Sequence, residues 1–360
     1  DKTYLIDNSY ENLLVNESDN LLKLEFLSNS YYHLGQFYET EGNIKKSEIF
    51  LLKCLSLTER LVNETKTDES LKNLISCYTA LGNICRIQRK YQKAKIYLRK
   101  GISVGEQLLK EAKNVNTKRT LLGIYDCFSE FYRNKMNLYG AEKYRMKCLT
   151  LCKQLVEETE TVVERRNLMI NYVGLGYLYS LHGKKKKSEK YLLNALVLNK
   201  QLLDETSNVE FKHDLSSTYK LLGSLYRDCK ILDKSEKFYK EAILLDEQLV
   251  TSCSVQARQA LADSYTMLGD LYDDKNDEQN AIDFYFKGYN IRDKLVEEIG
   301  SVKSYEDLAD SCFKIGYIGE SKFYLNKALD IFNTLSRNSS IFPYIINIKM
   351  IKKMLKDLDS

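Results

Sequence analysis

The sequence predicts an all-α protein, a solenoid of about seven antiparallel helix pairs closed by a C-terminal capping helix. Three observations lead there. Proline occurs once in 360 residues, at Pro343, so almost nothing interrupts helix formation. The chain repeats itself at a period of 47 residues. Within each period the apolar residues recur at spacings of three, four and seven, which line one face of a helix, whereas a strand would need alternation.

The period is clearest on a Leu-Gly step. Leu34-Gly35, Leu81-Gly82, Phe128-Ser129, Leu175-Gly176, Leu222-Gly223, Leu268-Gly269 and Ile315-Gly316 lie 47, 47, 47, 47, 46 and 47 residues apart. Around this step side-chain size is fixed. Leu stands eight residues before the Gly position in every repeat (Leu27, Leu74, Leu121, Leu168, Leu215, Leu261, Leu308), and Tyr stands four before it in all but the last, where Cys312 replaces it. A small residue follows (Ser47, Ala94, Ala141, Ser188, Ser235, Ala281, Ser321), with an aromatic three later. A second small residue comes four beyond that aromatic (Cys54, Gly101, Cys148, Ala195, Ala242, Gly288, Ala328). Small side chains let a neighbouring helix approach closely, and the aromatic fills the space beside it at interior density.

Polar turns such as Glu41-Gly42-Asn43 and His182-Gly183-Lys184 divide each repeat into a helix A and a helix B, and clusters of Asp, Asn, Ser and Thr separate repeats. Two helices of about 20 residues with short connectors fit the period. Such helices exceed the globular mean of about 11–12 residues, so stacking must hold them.

The fourth and fifth repeats, I-N-Y-V-G-L-G-Y-L-Y with K-S-E-K-Y-L-L-N-A-L and S-T-Y-K-L-L-G-S-L-Y with K-S-E-K-F-Y-K-E-A-I, resemble the tetratricopeptide repeat family in the order and spacing of their defining positions. The resemblance covers about residues 20 to 340. It implies a right-handed superhelix whose A helices line a concave groove for peptide segments of partners. Two departures stand out. The repeat is longer than the family's usual 34 residues, which implies that both helices are extended, and Ser129 replaces Gly in the third repeat.

The resulting division is 1–20 as the end of a preceding helix B, 21–340 as seven repeats and 341–360 as a capping helix. Leu14-Val15-Asn16-Glu17-Ser18 matches Leu61-Val62-Asn63-Glu64-Thr65 at the 47-residue interval, so the chain is expected to begin inside a helix B, as part of a longer protein. The seventh repeat is seven residues shorter between Gly316 and Ser321, which predicts loss of its A-to-B turn and a distorted pair. Beyond it, Ile345, Ile348, Ile351 and Leu355 give an apolar stripe to a helix that serves as the terminal cap. A helix lying on a membrane surface ranks second for this segment.

Composition narrows the function. Lys and Arg number 54 against 50 Asp and Glu, a net charge of +4, too slight to imply a polyanion partner. The nine cysteines fall inside helical patterns with no C-x-x-C pair, which reads as reduced thiols and a cytoplasmic location. No stretch approaches a membrane span. The only histidines, His33, His182 and His213, lie in different repeats, and no phosphate loop, nucleophile elbow or metal-spaced cluster appears. Neither catalysis nor a cofactor is expected. Cys148 and Cys152 sit one helical turn apart, but Cys148 occupies a small packing position. The run Lys184 to Lys187 reads as a solvated turn before a phosphate contact.

If the implied groove holds, residues around the Leu-Gly step face it. Repeats two to five place Asn83, Arg86, Glu130, Arg133, Tyr177, Lys220 and Arg227 there, and repeat six places Asp263, Asp270, Asp273 and Asp274. Arg can bind carboxylates with paired donors and Tyr can stack, so the expected ligand is a partner peptide with an acidic segment over repeats two to five. Self-association through exposed terminal repeats is a further expectation. The functional classes rank as partner-binding scaffold, then peptide- or ligand-sensing domain of an attached effector, then RNA-binding helical repeat.

Overall fold

A computed structural model describes residues 21–250, 254–338 and 342–359; the segment 1–20, expected to end a helix B, lies outside the described residues. Those residues form fifteen helices and no strand. Two compact units divide them, residues 1–182 and 183–360.

In the first unit three hairpins follow one another: α1 (Leu21–Thr40) with α2 (Ile44–Thr65), α3 (Asp68–Ile87) with α4 (Tyr91–Glu111), and α5 (Val115–Asn134) with α6 (Leu138–Thr159), followed by α7 (Val162–Leu181). Each helix packs on the next in chain order, and α3 also touches α5. The second unit begins with α8 (Lys185–Thr206). Three hairpins follow: α9 (Val209–Asp228) with α10 (Leu232–Val250), α11 (Val255–Asp274) with α12 (Glu278–Ile299), and α13 (Val302–Ile318) with α14 (Lys322–Asn338). The last helix is α15 (Phe342–Asp357).

Local chemistry sets the boundaries. Each A helix from α3 to α13 starts at a Ser, Thr or Asn whose side chain accepts a backbone N–H of the first turn: Thr67, Asn114, Thr161, Asn208, Ser254 and Ser301. The A-to-B turns place a left-handed residue at one repeating position, Gly42 in the first repeat and Arg89, Met136, Lys230 and Asn276 in later ones.

Within a hairpin the Gly position receives a bulky B-helix side chain. A Cβ on Gly35 would stand 2.6 Å from Leu51 Cγ, one on Gly82 2.5 Å from Leu98 Cδ2, and one on Gly223 2.5 Å from Tyr239 Cε1. Leu51, Leu98 and Tyr239 are almost wholly buried, each a burial that stabilises by about 1.5–3 kcal/mol. Aromatic pairs stack beside this joint in near-parallel geometry: Tyr38 on Phe50 at 5.4 Å, Tyr226 on Phe238 at 5.5 Å and Tyr272 on Phe284 at 5.5 Å. Between repeats the recurring tyrosine donates to a carboxylate of the preceding B helix, Tyr78 to Glu59 at 3.0 Å, Tyr125 to Glu106 at 2.7 Å and Tyr265 to Glu247 at 2.7 Å.

The third repeat accommodates Ser129 by a different arrangement. Its hydroxyl donates to the Ala141 carbonyl at 3.0 Å. At the position equivalent to Leu51 and Leu98 stands Arg145, which bonds Asp126 and, at 3.0 Å, Glu130.

The seventh pair differs from expectation, because its A-to-B turn is retained. Residues 319–321 separate α13 from α14 as residues 41–43 separate α1 from α2, and Ser321 N–H donates to the Gly316 carbonyl at 3.1 Å. The missing residues come from the helix ends that flank the turn, about one helical turn from each. Loss from both arms preserves the pairing, and a Cβ on Gly316 would meet Leu325 Cγ at 2.8 Å. On α15 the inward residues are Tyr344 and Ile351, with Ile348 and Leu355 partly buried beside them; Ile345, expected in that stripe, is 43% exposed. The spacing four, three, four from Tyr344 follows one helical face and leaves Ile345 outside it.

Candidate binding faces

The packing consumes one side of every A helix, and the residues one and four places after the Gly position stand together one turn apart on another. In the first unit these are Asn83 and Arg86 on α3, Glu130 and Arg133 on α5, and Tyr177 on α7. They form two bonded groups. Asn83 Nδ2 donates to Glu39 at 2.6 Å, and Arg86 donates to Asn83 Oδ1 at 2.5 Å from Nη2. Glu130 accepts Arg133 at 2.6 Å and Arg145 at 3.0 Å, while the Arg133 guanidinium lies 5.9 Å from the centre of the Tyr177 ring. The Glu130 hydrogen bond, outweighing burial, raises the Arg133 pKa. Arg133 is thus held against a carboxylate and an aromatic face, whereas the Arg86 guanidinium donates to the neutral amide of Asn83.

In the second unit Lys220 and Arg227 project from α9, and both meet acids of this chain. Lys220 Nζ approaches Asp246 at 3.2 Å and keeps only 12% of its side chain exposed. Asp246 is fully buried and also accepts Ser216 and Ser264, each at 2.6 Å. Arg227 donates to Asp274 at 2.8 Å and approaches Asp270 at 3.5 Å. Asp270 further accepts Tyr285 at 2.8 Å and bonds Lys314. Asp263 pairs with Arg292 at 2.6 Å. Burial and the carboxylates of Asp270 and Asp274 push the Asp273 carboxyl above its ordinary range. The basic and acidic runs read separately in the sequence therefore interlock on α9 and α11.

Sequence reasoning missed Arg145 and Lys314. Arg145 was detectable in principle, since Leu or Tyr fills its position in the other repeats.

Among the described residues no group of three or more His, Cys, Asp or Glu is disposed to hold a metal ion. Cys148 and Cys152 are both buried in the core, and burial pushes the Cys152 thiol up to about 12. Lys185 bonds the Asp228 carbonyl. No described helix is long and apolar enough to cross a membrane. The first described helix, α1, exposes Leu22, Phe26 and Phe37.

Comparison with known proteins places this architecture. The tetratricopeptide repeat profile matches residues 28–60, 75–104, 216–249, 262–294 and 302–334, each match falling on one helix pair. No curated protein matches the sequence. Among solved structures, the apo form of RapI aligns with a TM-score of 0.61 at 12% identity, over 92% of this chain and 85% of that one. BtubC from P. vanneervenii aligns at 0.57 and 16% identity, over 70% of this chain and 92% of that one. A signal transduction ATPase with numerous domains and a tetratricopeptide repeat sensor, from Pyrococcus horikoshii, aligns at 0.59 and 13% identity over 93% of this chain, which spans 45% of that protein's length. At these identities the likeness is one of fold. Five matched pairs in the sequence, and hairpins that interlock through the same small and bulky positions, make this chain a tetratricopeptide-repeat protein.

Proposed function

We propose that the protein is a cytoplasmic interaction scaffold that holds a partner peptide on the A-helix face of its first unit, through Asn83, Arg86, Glu130, Arg133 and Tyr177. The observation that carries this is Arg86. Its guanidinium is oriented by a neutral amide, so its charge is available to a carboxylate of the partner, and paired donors suit that recognition. Arg133, whose guanidinium lies 5.9 Å from the centre of the Tyr177 ring, and that ring offer a cation and an aromatic face beside it. The ligand we assign is an extended segment with acidic residues. On the second unit Lys220 serves the buried Asp246. Arg227 reaches a ligand only by leaving Asp270 and Asp274.

The test is binding of acidic-peptide libraries to the wild-type chain and to Arg86→Glu/Arg133→Glu, with Lys212→Glu as a surface control. A loss of tenfold or more in the double variant alone supports the reading, on a scale of about 1.4 kcal/mol per tenfold. Unchanged affinity removes it.

A second reading is favoured by the aligned ATPase, whose repeats are described as a sensor: ligand capture here would regulate an attached effector. Activity of the complete natural protein with and without the selected peptide distinguishes regulation from scaffolding.

A further inference from the structure

The joint between the first two repeats contains a feature that the other joints lack. Cys54 on α2 and Cys77 on α3 point at each other with their Sγ atoms 2.8 Å apart. Both are about 1% exposed. They occupy facing positions of the repeat: one period later the pair is Gly101 and Ile124, and Ile124 lies directly over Gly101. The further corresponding pairs, Cys148 with Asn171, Ala195 with Thr218, Ala242 with Ser264 and Gly288 with Ser311, each include a residue other than Cys. Among the described residues Cys54 and Cys77 are therefore the one dithiol at these facing positions, where the fold already brings two side chains into contact.

We propose that Cys54 and Cys77 form a reversible intramolecular disulfide that staples the first repeat to the second. A disulfide has its sulfurs about 2.05 Å apart, so closure asks for a shift of less than about 1 Å from the present contact. The oxidant is a low-molecular-weight disulfide of the glutathione type. One cysteine of the pair, as thiolate, attacks one sulfur of that disulfide, forms a mixed disulfide and releases one thiolate, which takes up a proton. The other then gives up its proton and attacks the sulfur of the first, expelling the second small thiol. Two protein thiols are oxidised, one small disulfide is reduced to two thiols, and no other reactant is needed.

Two hydroxyls line the pair. Ser28 Oγ lies 3.7 Å from Cys54 Sγ, and Thr58 Oγ1 lies 3.8 Å from Cys54 Sγ and 3.6 Å from Cys77 Sγ. Hydrogen bonding from Cys77, with Ser28 and Thr58 assisting against burial, holds the Cys54 thiol below its ordinary range, while the contact with Cys54 and burial push the Cys77 thiol above it. Because both are buried, exchange proceeds when the joint opens locally. The other close pair, Cys148 and Cys152, lies along one helix and is not brought together across a joint.

The test uses the full chain, reduced and then equilibrated in glutathione buffers of graded oxidised-to-reduced ratio, acid-quenched, alkylated under unfolding conditions and mapped by mass spectrometry. The expected result is a Cys54–Cys77 cross-link whose level depends on the ratio and is the same from the oxidised and the reduced side. Oxidation should also slow hydrogen exchange of amides in α2 and α3 by about tenfold or more, since the bridge removes open states. Cys54→Ser and Cys77→Ser should each abolish the cross-link. The exchange measurement on the wild-type chain decides even if a variant fails to fold. Complete alkylation of all thiols in every buffer, or cross-links that join other cysteines, would overturn the proposal.

Discussion

Arg227 on α9 donates through Nε to Asp274 on α11 at 2.8 Å, joining residues 47 positions apart in the chain. The bond ties together two A helices and is repeated at lower strength by the approach to Asp270. The hydrogen bond from Arg227, stronger than the opposing burial, holds the Asp274 carboxyl below its usual range. A carboxyl depressed in the folded chain contributes fully above its unfolded value and loses that contribution as pH falls through the folded one. Asp274→Asn should therefore cost about 0.5–1 kcal/mol near neutral pH, after allowance for solvent screening, and almost nothing in strong acid. Urea unfolding at both pH values checks this, and an equal gap at both would exclude a charge effect.

Two glycines should respond in opposite directions to the same substitution. At Gly223 a new Cβ meets the Tyr239 ring at 2.5 Å, and that ring is 1% exposed with its hydroxyl 3.0 Å from Ser224. Gly223→Ala should cost about 1–3 kcal/mol by overpacking. Gly123 is exposed on α5 with nothing within 4 Å of its Cβ direction, so Gly123→Ala should stabilise by about 0.5–1 kcal/mol. Thermal midpoints of the two variants measure the contrast directly.

The joint behind Tyr239 is equally tight. Ala242 is completely buried between Leu215, Tyr219 and Phe238. Ala242→Phe should lower stability by at least roughly 1–3 kcal/mol, and an unchanged midpoint would contradict the packing described.

Met136 sits at φ +55° in the turn before α6 with 76% of its surface exposed. A left-handed conformation costs a non-glycine residue about 1–2 kcal/mol, of which glycine's greater unfolded freedom returns part. Met136→Gly should stabilise by about 0.5–1 kcal/mol, readable as a rise in the denaturant midpoint with no change in slope.

The period made the helix pairs legible, because packing leaves the same sizes at the same offsets: Tyr31, Leu51 and Cys54 are buried, as are Tyr78, Leu98 and Tyr125. Electrostatic pairing was not legible. Lys220 and Asp246 lie on successive helices, and nothing in their spacing announces that the lysine turns inward to a buried acid. Arg227 likewise reads as an open cation until α11 brings Asp274 to it. The left-handed turns were visible where Gly42 and Gly183 occur but hidden at Met136 and Lys230, where the hairpin imposes the conformation on residues that do not favour it.

The shortened seventh hairpin shows where this architecture admits changes of length. Its residues were removed at the bend, about one coil from either arm, while the contact of Gly316 with Leu325 stayed in place. Arm length and arm registration are therefore separable. Other hairpins of the chain could be trimmed, or lengthened to display an inserted loop, by balanced edits at their tips that leave the interlocking glycine untouched.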